Sequence, residues 1–264
     1  MKKGGLFPRI ILILVFIFLY APILLLVFFS FNDSNSQTVF SGFSLRWYFK
    51  LFGDASIMQA VRNTLIVGIL SSVIATVIGT FAAIGIFCMR KRTRTLIMNI
   101  TYLPVLNPDI LTAISMMLVF KMLSMDFGLV TLTAAHITFN IPYVILSVMP
   151  KLRQLNMSEY EAALDLGARP MTALRKVVFP SIKSGIVTGL IMAFTMSIDD
   201  FIISYFTKGT GVSTIPIVIY SMTKRKVTPE INALSAIMFV VVLLLLIVVN
   251  LRQTKNDKTA EKRL

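Results

Sequence analysis

Ser158-Glu159-Tyr160-Glu161-Ala162-Ala163-Leu164-Asp165-Leu166-Gly167-Ala168-Arg169-Pro170-Met171-Thr172-Ala173-Leu174-Arg175-Lys176-Val177-Val178-Phe179-Pro180 is a charged stretch set between long apolar runs. Ser158 with Glu161 three residues on makes a capping box, which predicts a short helix starting at Ser158. Ala162, Ala163 and Leu166 give that helix a small-residue face, and Gly167 stops it as a C′ glycine would. Pro170 suits the first turn of a second short helix. Leu174, Val177 and Val178 then lie on one side at i, i+3, i+4 spacing. Pro180 is read as the end of this helix. The apolar ridge either packs under the protein's own helices or docks a partner. Glu161 alone reads as a helix cap rather than a catalytic base.

Outward from this stretch the chain is apolar. Of its 264 residues 56% are hydrophobic and 14% charged, with mean hydropathy +0.82. A soluble domain carries about 45–50% apolar and about 25% charged residues. The composition excludes an ordinary soluble enzyme and a disordered chain. A membrane-crossing helix needs about 20 apolar residues. Six runs qualify: Ile10–Phe31, Thr64–Met89, Leu96–Phe120, Gly128–Met149, Ser184–Thr207 and Ile231–Leu251. They are continuous rather than alternating, so the expected class is all-α and polytopic. The first run is too long for a signal-peptide core, and Asn32, Asp33 and Ser34 follow it where a small-residue cleavage site would lie. It is read as a retained span. The expected organisation is 1–59 for this span and an external loop, 60–252 for the transmembrane domain with its loop 150–183, and 253–264 for a charged tail.

Net charge is +14. With the N-terminus inside, 18 of the 26 Lys and Arg fall on inner segments, among them Arg90, Lys91, Arg92 and Arg94. That bias predicts both termini inside. The charge is thus a topology signal, and nucleic-acid binding is not needed to explain it. Lys224-Arg225-Lys226 runs against the bias; it would meet an external protein or simply be solvated. Trp47 and Tyr48, in the external loop 32–63, read as interfacial anchors. Cys88 and His136 are the single Cys and single His, which excludes a disulfide framework and multi-histidine metal sites. No metal or cofactor is expected, and His136 reads as a packed, hydrogen-bonded residue.

Asp109, Asp199 and Asp200 lie inside apolar runs, where a carboxylate costs about 2.5–3.5 kcal/mol. On straight helices all three come to a similar depth, about 20–24 Å from the inner end. Pro108 breaks the third run and frees the carbonyl of Pro104. Asp199 and Asp200 diverge by about 100° on a helix, so only one faces a given path. Ser197 and Ser204 share the face of Asp200 on a continuous helix. These acids either pack against neighbouring helices through hydrogen bonds or stabilise a passing cation. Linear polyamines, with ammonium groups spaced along an apolar chain, fit the second reading. Phe201 and Tyr205 either add cation–π contacts or face lipid.

Glu161-Ala162-Ala163, then Gly167, then Val177-Val178-Phe179-Pro180 resembles the EAA signature of ABC importer permeases. The family pattern ends I-x-L-P; here it reads V-x-F-P. The resemblance spans about residues 60–252 and implies the type I ABC importer permease fold. It implies that Ser158–Pro180, with Glu161, Ala162, Ala163, Gly167, Leu174, Val177 and Pro180, couples to an ATP-binding subunit dimer. It implies in addition a homologous second permease, an extracytoplasmic binding protein and a bacterial plasma membrane. The chain has no GxxxxGK[ST] sequence, so energy would arrive in trans, and no catalytic residue is assigned.

Asn107-Pro108-Asp109-Ile110, Ser197-Ile198-Asp199-Asp200 and Thr228-Pro229-Glu230-Ile231-Asn232-Ala233 resemble the spermidine/putrescine permease subfamily. This implies a polyamine path that includes Asp109 and Asp199, then Asp200 and Glu230. Two alternatives stand beside it: the same architecture carrying another small solute, and a proton-coupled secondary transporter using the Asp pair as a relay.

Overall fold

In the computed structural model of the chain, residues 6–34, 39–225 and 229–261 are described, with side chains at 9–34, 39–224, 229–244 and 247. Among the described residues every regular element is a helix. In order they are α1 (Leu6–Phe29), α2 (Arg46–Gly53), α3 (Ala55–Cys88), α4 (Lys91–Leu106), α5 (Asp109–Met122), α6 (Leu129–Arg153) and α7 (Met157–Asp165). Next come α8 (Pro170–Ala173), a π-turn (Leu174–Val178), α9 (Phe179–Asp199), α10 (Ile202–Thr207), α11 (Ile215–Arg225) and α12 (Pro229–Glu261).

Among the described residues four helices are long and apolar enough to cross a membrane: Arg9–Phe29, Ala55–Cys88, Leu129–Arg153 and Pro170–Asp199. The third expected span is not straight, since α4 and α5 meet at 103°. Pro108 has no N–H and forces the residue before it out of the helical region. Asn107 is accordingly extended, at φ −73° and ψ 144°. The equal-depth estimate for Asp109 assumed a straight helix and falls with it. The fifth expected span also breaks: α9 stops at Asp199, and Asp200 is extended at φ −67° and ψ 123°. Ser197 and Ser204 therefore lie on different helices. The sixth expected span lies within α12, of which Pro229–Leu244 is apolar over its described side chains. The tail 253–264 and residues Arg225 and Lys226 of the basic run lie outside the described side chains.

The chain divides into two compact units, Met1–Gln59 with Val218–Leu245, and Ala60–Ile217 with Leu246–Leu264. In the first, Trp47 is buried rather than set at an interface, which corrects its reading as an anchor. Its Nε1–H donates to the Asn32 carbonyl at 2.7 Å. The Tyr48 hydroxyl and Ser30 Oγ are 2.7 Å apart. Together they staple α2 to the end of α1. The polar ends of these rings have partners, as buried Trp and Tyr require.

In the second unit the core is built on α6 packed against α9. Val144, Ile145, Val148, Met149 and Leu152 meet Val178, Ile182 and Ala193, with Ala83 and Ile86 of α3 closing the cluster. Glycines permit the close approach. A Cβ at Gly79 would lie 2.8 Å from the Val144 side chain, and one at Gly185 would lie 2.9 Å from the Ser147 carbonyl oxygen. Small residues at helix contacts serve membrane bundles because lipid offers no hydrophobic drive between helices.

Candidate cargo path and coupling surface

The two helix breaks of the second unit carry the acids. Asp109 is the first residue of α5, directly after the Pro108 break, and its side chain is exposed. The positive end of the α5 dipole favours a carboxylate there. Asp199 is the last residue of α9 and is also exposed. It adds its charge to the negative end of the α9 dipole, where the closing carbonyls run out of intrahelical partners. Among the described residues neither Asp109 nor Asp199 has an ion pair.

Asp200 has another role. One of its carboxylate oxygens, Oδ2, accepts from the Ser204 backbone N–H at 2.7 Å, and Oδ1 accepts from the Ile203 N–H at 3.2 Å. The side chain thereby caps α10, just after the break. On its other side is His136, fully buried, with Nε2 at 3.5 Å from Asp200 Oδ2 and 2.9 Å from Ser204 Oγ. One turn along α6, Asn140 Nδ2 donates to Ser197 Oγ at 2.7 Å, and Ser197 meets Ser71 of α3 at 2.9 Å. This network ties α3, α6, α9 and α10 around the break.

His136 was legible from the sequence as a packed residue, but its pairing with Asp200 was not. The signal for it is the i, i+4 pair His136 and Asn140 on α6, facing Ser204 and Ser197. Glu230, the fourth acid, belongs to the other unit. It stands in the first turn of α12 and is ion-paired with Lys50.

The loop folds into two small helices, with adjustments. The α7 cap is Asn156 rather than Ser158: its side chain accepts from the Ser158 N–H at 3.2 Å. Starting the helix two residues earlier leaves Glu161 beyond the capping position, exposed to solvent. Gly167 ends the helix at φ +83°. Its N–H donates to the Leu164 carbonyl and that of Ala168 to the Ala163 carbonyl, the paired bonds of a Schellman motif. Pro170 opens α8. Pro180 does not end a helix. The π-turn carries the chain past it, with the Phe179 N–H reaching the Leu174 carbonyl and Ser181 Oγ donating to the Val177 carbonyl at 2.7 Å. A wider turn accommodates the ring and the missing N–H.

The ridge splits between its two readings. Tyr160, Leu174, Val178 and Phe179 pack onto the α6–α9 core, and Val177 is half-buried. Leu166 and Met171 point outward, 89% and 70% exposed, beside Glu161, Ala162, Gly167 and Pro180, with Ala163 half-buried.

Comparison with known proteins identifies the family. Residues 75–261 match the family described as "Binding-protein-dependent transport system inner membrane component". Over 245 residues the chain is 35% identical to "Spermidine/putrescine transport system permease protein PotC" of Escherichia coli (strain K12), covering 93% of this chain and 92% of that one. It is 38% identical over 236 residues to "Putrescine transport system permease protein PotI" of the same organism, covering 86% and 84%. Its fold is similar to a chain of "Crystal structure of a bacterial ABC transporter involved in the import of the acidic polysaccharide alginate", with TM-score 0.73 and 18% identity over 95% of both chains. The chain belongs to the binding-protein-dependent family of ABC importer permeases and is a multi-pass inner-membrane transport subunit, not an enzyme.

Proposed function

We propose that this subunit imports polyamines, with spermidine and putrescine as the cargo class. It does so as a six-span permease with both termini inside, beside a homologous second permease, an ATP-binding subunit dimer and an extracytoplasmic polyamine-binding protein. The observation that carries the reading is the pairing of Asp109 and Asp199 with two helix breaks, each acid exposed and without a basic partner among the described residues. A carboxylate beside free helix carbonyls favours a cation. A linear polyammonium ion can satisfy both acids at once, which a neutral or anionic solute cannot. The names of the relatives, which refer to spermidine and putrescine, support the same cargo.

In this reading Asp109 and Asp199 contact the passing ammonium groups. Asp200 holds the break open by capping α10. Glu230, in the other unit, is a further proposed cargo contact that releases Lys50 when it takes an ammonium group.

The coupling surface is Ser158–Pro180. Leu166 and Met171 enter the ATPase groove, and Glu161, Ala162, Ala163 and Gly167 shape the helix that carries Leu166. Leu174, Val177 and Pro180 join this surface to the transmembrane core. The helix Pro170–Asp199 is continuous over 30 residues, about 45 Å at 1.5 Å per residue. One rod thus links the loop to Asp199, so a displacement imposed at the loop is delivered to the break.

The test is transport by the assembled complex in proteoliposomes. ATP-dependent accumulation of labelled spermidine that survives a proton ionophore supports the reading. Accumulation that follows the proton gradient and ignores ATP would establish the secondary-transporter alternative instead.

A further inference from the structure

A cleft of about 680 Å³ opens in the Ala60–Ile217 unit where the α5–α6 and α10–α11 connections meet. That volume suits a small ligand. Asp126, Phe127, Tyr205, Phe206 and Lys208 line it, together with Gly209. Its wall is fixed at one point. Gly209 has φ +69°, and a Cβ there would lie 2.1 Å from the Phe127 carbonyl oxygen. The two connections are therefore clamped backbone to backbone, and only glycine fits.

Asp126 is exposed, and among the described residues neither Asp126 nor Lys208 is in an ion pair. The aromatic residues continue inward. The Tyr205 ring centroid is 5.6 Å from Phe206 and 5.5 Å from Phe201, and Phe201 directly follows Asp200. Between cleft and break stands α10, six residues and about 9 Å long.

We propose that this cleft is a staging site for one ammonium group of the cargo, ahead of Asp199. The proposal rests on the polyamine reading above. Asp126 supplies the carboxylate, and the Tyr205, Phe127 and Phe206 rings supply cation-binding faces. Lys208 opposes the ligand and keeps the site weak, so that the cation is captured yet released inward. One group of a linear polyamine rests in the cleft while the rest of the chain extends toward the break.

The experiment is equilibrium binding of labelled spermidine to the assembled permease–ATPase complex in nanodiscs, without binding protein. Asp126→Asn weakens binding about tenfold. Lys208→Ala tightens it several-fold, because the repelling charge is gone. Tyr205→Leu weakens it about two- to fivefold, and Tyr205→Phe, which keeps the ring, does not. Opposite signs for Asp126 and Lys208 cannot arise from misfolding. Unchanged binding in both variants, in a complex that imports spermidine, overturns the staging site alone. A wild-type complex that neither binds nor imports spermidine overturns the cargo reading itself.

Discussion

The Asp200 carboxylate accepts the Ser204 backbone N–H at 2.7 Å, across the point where the fifth span stops being one helix. This contact turns Asp200 toward α10 and His136 and leaves Asp199 as the exposed acid of the pair. Two adjacent carboxylates thus take different roles, one holding a break and one facing out from it.

The first prediction concerns Asp199. Asn in its place keeps size and polarity but removes the charge. A hydrogen bond to a charged group is worth about 1.5–3 kcal/mol. Spermidine uptake at limiting concentration falls at least about tenfold, while membrane insertion and assembly stay intact. Normal uptake by a correctly inserted Asp199→Asn protein would remove its assigned role.

The second concerns the cap. Asp200→Ala leaves the Ile203 and Ser204 N–H groups without their acceptor and costs about 1–2 kcal/mol. Thermal unfolding of the purified complex shifts down by about 2–4 °C. Asp200→Asn keeps an acceptor oxygen and loses less than half of that. His136→Ala and Asp200→Ala are non-additive because the two side chains meet. Equal losses for Ala and Asn, or strict additivity, would show that the contact does not hold the break.

The third tests helix packing with an internal control. A Cβ at Gly185 would lie 2.9 Å from the Ser147 carbonyl oxygen, whereas one at Gly85 meets nothing within 4 Å. Gly185→Ala therefore destabilises by about 1–3 kcal/mol, and Gly85→Ala is neutral or slightly stabilising. The readout is the melting temperature of the two variants side by side. If Gly85→Ala proved the worse, the α6–α9 packing would be wrong.

The fourth separates docking from folding in the loop. Leu166→Glu places a charge on a side chain that is 89% exposed and touches no core, so the permease folds as before. ATPase subunits no longer co-purify with it at wild-type yield. Gly167→Asp, at φ +83°, strains the Schellman turn by about 1–2 kcal/mol. ATP hydrolysis persists in this variant while transport per ATP drops. Full co-purification with Leu166→Glu would move the docking surface elsewhere.

Much of this arrangement can be read from residues alone, because it is set by local rules. Gly167 and Pro170 punctuate the loop through φ and the missing N–H, and the apolar runs follow from length. Pro108 announces a break, but its angle of 103° depends on what α4 and α5 pack against. Asn156 and Ser158 are competing caps two residues apart, and the chain settles on the first. Pro180 signals an interruption, and the chain meets it with a π-turn that keeps α8 and α9 in one rod rather than with a helix end. Trp47 reads as an interfacial ring until Asn32 is seen to supply its acceptor. The Asp200–His136 contact joins residues more than sixty positions apart; the i, i+4 pair His136 and Asn140 marks a polar face on α6 but does not name its partners.

The central claim is that the acids at the two breaks serve a polyammonium cargo. It is tested most directly by labelled spermidine uptake in cells with this gene deleted and then restored. Excess unlabelled putrescine, an amino-acid mixture and a sugar mixture serve as competitors. The account predicts that uptake returns with the gene and is blocked by putrescine alone. Uptake indifferent to the gene, or blocked equally by amino acids or sugars, would contradict it.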